Sequence, residues 1–384
     1  RVCNLSYAQT DWYIYQQQCP LYNAPGLPIS WNKNQYQEGT NEYVAVRPEL
    51  KKQIEELYRK HPEEARDSFG EDPFEVKNIL KYWVFSEKPE FHVIPTDTIN
   101  IHIDKDALLR SGIMLPKTIR HLKEEDLKDA IPDKLYISLT DIRMLTKVDL
   151  LMLEMLANCN WKRPLYLAIS VGRVSKLKFD NYFVQEGLAF RFTPFDYKKW
   201  GDVGENRLYA VDVERLYDNV MNRYKYGGLD TPGLYLDETT LRTCWYHRRL
   251  FAQLAKELIA QGDNECAKKV LAYAEQVIPG YNVPETHESG SYDIATAYAA
   301  LGEKTKAVTL AVHLIAEAED YINWAFSLKG NRIEMVRNDC IYKFWQWNQY
   351  NELLKKIDGE KYKESNRRFE EKYALFAPTM NYKN

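Results

Sequence analysis

No run of about 18 uncharged apolar residues occurs in this chain. The most apolar stretch, Val148 to Leu156, is broken by Asp149 and Glu154, so no segment is suited to crossing a bilayer. Charge of one sign is also missing: Lys and Arg number 52 against 55 Asp and Glu, for a formal net charge of -3. That balance supplies no global field for nucleic acid or an anionic membrane, and no basic patch replaces it. Glycine and proline are sparse, 17 and 16 in 384 residues, which excludes collagen-like and low-complexity chains. The six cysteines (Cys3, Cys19, Cys159, Cys244, Cys266, Cys340) contain no C-x-x-C pair, against a zinc ribbon or a thioredoxin-type site. A domain of this size can bury thiols as small apolar residues, and no structural disulfide is expected. His92, His102 and His287 have acidic neighbours in Asp104, Glu285 and Glu288 but no ligand spacing, so no metal is expected. The G-x-S-x-G elbow, the P-loop and G-x-G-x-x-G are missing too, and no cofactor is expected.

What is there is a folded polypeptide, 45% hydrophobic, long enough for two or three domains. It opens at Arg1 without an initiator Met, inside an expected strand (Val2 to Leu5), and reads as a piece of a longer protein. Thr10 and Asp11 then offer an N-cap and an acidic first turn to a helix carrying Trp12, Tyr13 and Tyr15. A short strand is expected over Tyr43 to Val46, and helices from about Pro48 to Lys60 and Pro73 to Phe85. Thr98 to Ile103 alternates with Ile99, Ile101 and Ile103 on one face, the period of a half-buried strand. From Lys134 to Ser170 the pattern is strand (Leu135, Ile137, Leu139), helix to Asn158 opened by a Thr146/Asp149 capping box, then a strand over Leu165 to Ile169. This predicts a parallel βαβ unit with a right-handed crossover, and with it a Rossmann-like layered α/β domain over residues 1–172. Residues 173–239 read as a mixed connector packed on that domain, with strands between Phe183 and Phe195 and a helix over Val211 to Tyr226.

Residues 240–384 read as helical repeats. Phe251, Leu254, Ala255 and Leu258 line one helix, Gly262 turns the chain, and Ala267, Leu271 and Ala274 line the next, offsets that match the tetratricopeptide pattern. Ile294, Ala295, Tyr298, Gly302 and Ala307 repeat it with the glycines 40 apart instead of ~34, the excess falling in Tyr281 to Gly290. Further helices are expected from Asn331 to Ile357 and from Glu360 to Leu375.

Polar residues near expected strand ends mark a candidate crevice: Asn4, Ser6 and Asp11 after the first strand, Thr140 and Asp141 after the Leu135 strand. Open α/β sheets bind ligands there; the same side chains could instead cap backbone groups. Trp12 and Tyr13 add rings suited to stacking on sugar or peptide, or to a core. Arg163 could grip a carboxylate or phosphate, or make a structural ion pair.

Several of these stretches, taken in order, carry a resemblance: Val2-Cys3-Asn4-Leu5-Ser6 with Thr10-Asp11-Trp12-Tyr13, Asn160 to Tyr166, Glu186-Gly187-Leu188-Ala189 with Arg191, and Tyr217-Asp218-Asn219 with Met221-Asn222. Over nearly its whole length the chain resembles the soluble C-terminal part of a bacterial family of multi-pass membrane proteins, the protein O-mannosyltransferase-like, GT-C type glycosyltransferases. Cys3 and Leu165 are conservative departures. The resemblance implies a periplasmic domain tethered to a transmembrane half that holds the catalytic acid, with tetratricopeptide-like helices at its end. No catalytic residue is carried over. The expected function is a non-catalytic extracytoplasmic module that presents or recognises acceptor protein or glycan. Its expected partners are its own transmembrane half and that acceptor, with neither nucleic acid nor direct membrane insertion. Two other readings stand beside it: an envelope scaffold that uses the repeats to bind another protein, and a free-standing sugar-active enzyme using Ser6, Asp11 and Asp141. Asp97-Thr98-Ile99 is also similar to a short acceptor motif for periplasmic O-glycosylation.

Overall fold

The computed structural model describes residues 2–171, 177–204, 209–328 and 332–380. Arg1, Gly172 and Asn331, where the sequence reading places the chain's opening, the end of the α/β layer and the start of a helix, lie outside them. Contacts divide the chain into two compact units, Arg1–Gln185 with Ala189–Asp212, and Glu186–Leu188 with Val213–Asn384.

In chain order the first unit holds α1 (Asp11–Gln18), α2 (Lys33–Tyr36), β1 (Tyr43–Val46), α3 (Lys51–Lys60), α4 (Pro62–Phe69), α5 (Val76–Ile79), β2 (Val93–Ile94) and β3 (Thr98–His102). There follow α6 (Lys105–Arg110), α7 (Glu124–Ala130), β4 (Lys134–Ser138), β5 (Met144–Thr146), α8 (Lys147–Asn158), β6 (Tyr166–Ala168), β7 (Phe183–Gln185), β8 (Ala189–Phe192) and β9 (Ala210–Val211). The strands form three small sheets, ordered β2-β1-β5, β3-β4 and β6-β8-β7-β9. Antiparallel β3 and β4 set Ile99 opposite Ile137 and Ile101 opposite Leu135. Those cross-strand apolar pairs point into the core, as the period of two requires. Asn100, on the other face, is buried as well: its N–H donates to Phe74 O at 2.9 Å, so β3 is covered on both sides rather than half-buried. The helix expected from Pro73 begins at Val76 and runs on as a π-helical turn over Leu80–Val84.

Two expectations are overturned. The strand–helix–strand pattern of residues 134–170 is not a parallel βαβ unit: β4 pairs antiparallel with β3, while β6 pairs antiparallel with β8 in another sheet. After Leu139 the chain turns through Asp141, whose φ of 70° is left-handed, into β5, and β5 joins β1 before α8 begins. After α8, Asn160 and Trp161 are both left-handed, at φ 46° and 59°, and redirect the chain to β6. The second correction is at the start, where Val2 to Leu5 form no strand. The Asn4 side chain accepts the Ser6 N–H at 3.0 Å, and successive turns (Tyr7 N–H to Asn4 O, Ala8 N–H to Leu5 O) lead straight into α1. A local Asx turn offers these groups partners that a lone four-residue strand would lack.

Helix α8 opens on the expected capping box: Thr146 accepts the Asp149 N–H, and the Asp149 carboxylate accepts the Thr146 N–H at 2.9 Å. It is buried on several sides, through Leu150, Leu151, Leu153, Met155 and Leu156. Three of its charges are buried with it, Asp149 in that box and two that reach other segments. Lys147, 1% exposed, meets Glu42 at 2.6 Å and donates to Tyr36 O and Gln37 O. Glu154 accepts both the N–H and the hydroxyl of Ser30 at 2.6 Å.

The second unit is helical: α9 (Val213–Asp218), α10 (Glu238–Ala260), α11 (Asn264–Val277), α12 (Ser291–Ala300), α13 (Lys304–Ser327), α14 (Arg332–Met335), α15 (Arg337–Ile357) and α16 (Gly359–Met380). Helix α10 packs on α11 and α12, α12 on α13, α13 on α15, and α15 on α16. The fully buried Ala255, Ala267, Ala295 and Ala307 let the hairpin helices approach closely. Both turns end in the same cap. Gly262 and Gly302 are left-handed, Asp263 N–H donates to Leu258 O, and Glu303 N–H donates to Tyr298 O, both at 2.9 Å. Gly262 N–H and Gly302 N–H add the inner bonds to Ile259 O and Ala299 O, completing the Schellman pattern twice. The extra residues between the hairpins form a loop gripped by Arg248. That guanidinium is 3% exposed and donates to Ile278 O, Val283 O, Pro284 O and the Ser289 hydroxyl.

Candidate functional site

Five of the eight residues singled out in the sequence meet at the start of the first unit. Asn4 N–H donates to the Tyr13 hydroxyl at 2.6 Å, which locks the turn of residues 4–10 over α1. Thr10 caps nothing with its side chain; its hydroxyl donates to Tyr7 O, and the Asp11 carboxylate accepts the neighbouring Trp12 N–H at 2.6 Å. Tyr7, Trp12 and Tyr13 form a three-ring cluster, with Trp12 edge-on to Tyr13 at 5.5 Å and tilted to Tyr7 at 6.0 Å. Tyr13 is the buried anchor of this cluster. Trp12 and Tyr15, three residues apart on one side of α1, remain 57% and 62% exposed. A side-chain hydrogen bond with Cys19 pushes the Tyr15 phenol above its ordinary value. The result is a solvent-facing aromatic surface on which Trp12 is oriented by Tyr7 and Tyr13, flanked by the polar groups of Asn4, Ser6 and Asp11.

Arg163 serves this surface from a distance. It donates to Gly26 O at 2.9 Å instead of forming an ion pair. Gly26 lies so close to the end of α1 that a Cβ there would fall 1.9 Å from Gln18 O. Leu27 N–H donates to Gln17 O, and the Gln18 amide donates to Ile29 O and Trp31 O, so the 26–31 segment holds the C-terminal end of α1. Thr140 and Asp141 do not join the group. Thr140 bonds Ser138, through a hydroxyl contact at 2.9 Å, and Asp141 lies 4.0 Å from Lys178 at the surface. The crevice expected at the two strand ends has no first strand to build it. Thr98, in the acceptor-like Asp97-Thr98-Ile99, starts β3: its hydroxyl donates to Asp97, and Ile99 is in the core.

In the second unit, His287 is bonded through Nδ1 to the Tyr350 hydroxyl at 2.8 Å among the rings of Tyr292, Tyr342 and Trp345, and burial lowers its pKa. Among the described residues no group of His, Cys, Asp and Glu could hold a metal ion, and no helix is long and apolar enough to cross a membrane. A constellation missed in the sequence joins Glu186-Gly187-Leu188 to residues 215–224. Glu186 pairs with Arg215 at 3.2 Å, its carbonyl accepts from Asn219 at 2.6 Å, and Leu188 N–H donates to the Tyr224 hydroxyl at 3.0 Å. Gly187, at φ 147°, has no room for a Cβ, which would fall 2.1 Å from that hydroxyl. The clue was the glycine itself, placed between two strand-like runs.

No curated protein and no solved structure matches the chain. Residues 1–214 match the family described as TMEM260-associated domain 2, a span that contains the aromatic surface, Arg163 and the Glu186-Gly187 turn. That match covers more than half of the sequence, and the chain belongs to the TMEM260-associated domain 2 family.

Proposed function

We propose that this chain is the non-catalytic, extracytoplasmic module of a membrane-embedded protein glycosyltransferase of the O-mannosyltransferase-like, GT-C type, where it recognises or presents acceptor protein or glycan on the periplasmic side. The observation that carries this reading is the exposed pair Trp12 and Tyr15 on α1, with Trp12 packed edge-on against the buried Tyr13, within the family-matched residues. Exposed rings held by a buried partner offer contact area at low entropic cost, to a peptide or to the apolar face of a sugar. The family's description as a TMEM260-associated domain fits a piece that works beside a membrane protein.

The helical unit belongs to the same proposal as a tetratricopeptide-like stack. The twin Schellman turns 40 residues apart and the alanines at the helix crossings support it, and such stacks present extended surfaces to peptides. The test is a Trp12→Ala/Tyr15→Ala double variant of the full-length transferase. Acceptor glycosylation should fall at least about tenfold, the loss of one good ring contact, while the melting temperature holds. Wild-type glycosylation in a folded double variant would remove the reading.

A further inference from the structure

Within the second unit a cavity of about 190 Å³ opens between residues 222–230 and the C-terminal part of α11. Its walls are rings. Tyr226 stands nearly perpendicular to Tyr273, at 81° and 6.1 Å, and is braced from behind by Phe251 and His247 at 5.6 and 5.4 Å. The Tyr226 hydroxyl is committed to Val220 O, and that of Tyr224, the third wall, to Leu188 N–H. These rings are fixed before any ligand arrives.

Of the other polar side chains at the same cavity, Asn222 donates to Asp218 at 3.1 Å and three are uncommitted. Among the described residues, nothing bonds the Lys225 ammonium, the Asp230 carboxylate or the Tyr273 hydroxyl. Tyr226 O and Leu229 N–H close a turn through Gly227 and Gly228, both left-handed, so the backbone borders the cavity without side chains.

A pyranose has an apolar C–H face that packs on a ring and a rim of hydroxyls that each donate and accept. Three tyrosine walls beside one acceptor, one donor and one group that does both match that ligand. They suit others poorly. An anion would meet Asp230, and a wholly apolar ligand would strip water from two charges with nothing in return. The volume is below the roughly 300 Å³ at which pockets for drug-sized molecules begin, so it suits one ring and not a chain.

We propose that this cavity holds a single hexose unit of a glycan. The inference rests on the acceptor reading only in taking a glycan as the source of the sugar; the binding chemistry stands on the cavity. The test is saturation-transfer NMR on the 384-residue chain with methyl α-glucoside, methyl α-mannoside and methyl β-galactoside, with inorganic phosphate titrated separately. At least one glycoside should receive saturation on its ring C–H protons, and Asp230→Ala and Lys225→Ala, both at the surface, should each weaken it about tenfold. No transfer to any of the three, transfer unchanged in both variants, or binding of phosphate alone would overturn the inference. Because this experiment reads sugar binding and not acceptor glycosylation, its failure would leave the acceptor reading to its own test.

Discussion

The two units of this chain are held together by different kinds of contact. In the first, the ties run between residues far apart in sequence. Lys147 reaches Glu42, Glu154 reaches Ser30, Arg163 reaches Gly26, and Trp161 Nε1 donates to His102 O. Its sheets are short, and buried charge fixes the loops that join them. In the second, each helix packs on close neighbours in the chain, and the turns are set by a glycine and two backbone bonds. Its longer-reaching ties gather on the loop that interrupts the repeat, where Arg248 holds Ile278 O and Pro284 O and His287 bonds Tyr350. Damage to the first unit should therefore come from removing a distant partner, and damage to the second from changing volume or backbone freedom at a helix crossing or turn.

Lys147→Met sharpens that contrast most. It leaves two carbonyls and the inner side of Glu42 without their donor, and should cost about 3 kcal/mol or more by urea unfolding. A loss below about 0.5 kcal/mol would show the pair to be dispensable, in the range of an ordinary surface substitution. Ala267→Leu, at a fully buried position on α11, should cost ~1 to 3 kcal/mol by overpacking; a melt that does not move would break the assigned helix register. Gly302→Ala should cost about 1 kcal/mol, all of it from the left-handed φ of 78°, because nothing lies within 4 Å of the added Cβ.

The smallest effect concerns pH. Burial opposes ionisation of Asp72, but the Lys134 ammonium at 2.7 Å and the Phe74 N–H outweigh it and hold the carboxyl below its ordinary value. A group depressed in the folded state stabilises above its unfolded pKa, and that contribution disappears as pH falls through the folded value. Asp72→Asn should therefore flatten the acid limb of stability below about pH 4. The difference should stay under about 1 kcal/mol, because the pair is partly solvated. An unchanged acid limb would show that Lys134 contributes nothing through Asp72.

The same contrast explains what could be read before the fold was known. The second unit was legible because its instructions are local. Gly262 and Gly302, the alanines at the crossings and the surplus between Tyr281 and Gly290 all lie within a few turns of what they control. In the first unit the local signals were equally readable: the Thr146/Asp149 box, the Ile99/Ile101 face and the Leu135/Ile137 face. Strand partners were not, since nothing near Tyr166 announces Arg191 as its neighbour, and left-handed Asp141, Asn160 and Trp161 carry no glycine to flag the change of direction. The site divides likewise. Asn4, Ser6, Asp11, Trp12 and Tyr13 lie within ten residues and come together, whereas Thr140 and Asp141 were linked to them only through a sheet that the chain does not form. The Tyr224–Tyr226 cavity was hidden because its facing wall, Tyr273, comes from a helix about fifty residues later.

We propose that this chain grips an acceptor and leaves chemistry to another part of its protein. Adding the purified 384-residue chain to membranes that contain the proposed full-length transferase, and following acceptor glycosylation, tests this directly. The added chain should inhibit in a dose-dependent way, the inhibition should be lost with Trp12→Ala/Tyr15→Ala, and the chain alone should show no turnover. Glycosylation by the isolated chain, or no inhibition at a large excess, would contradict it.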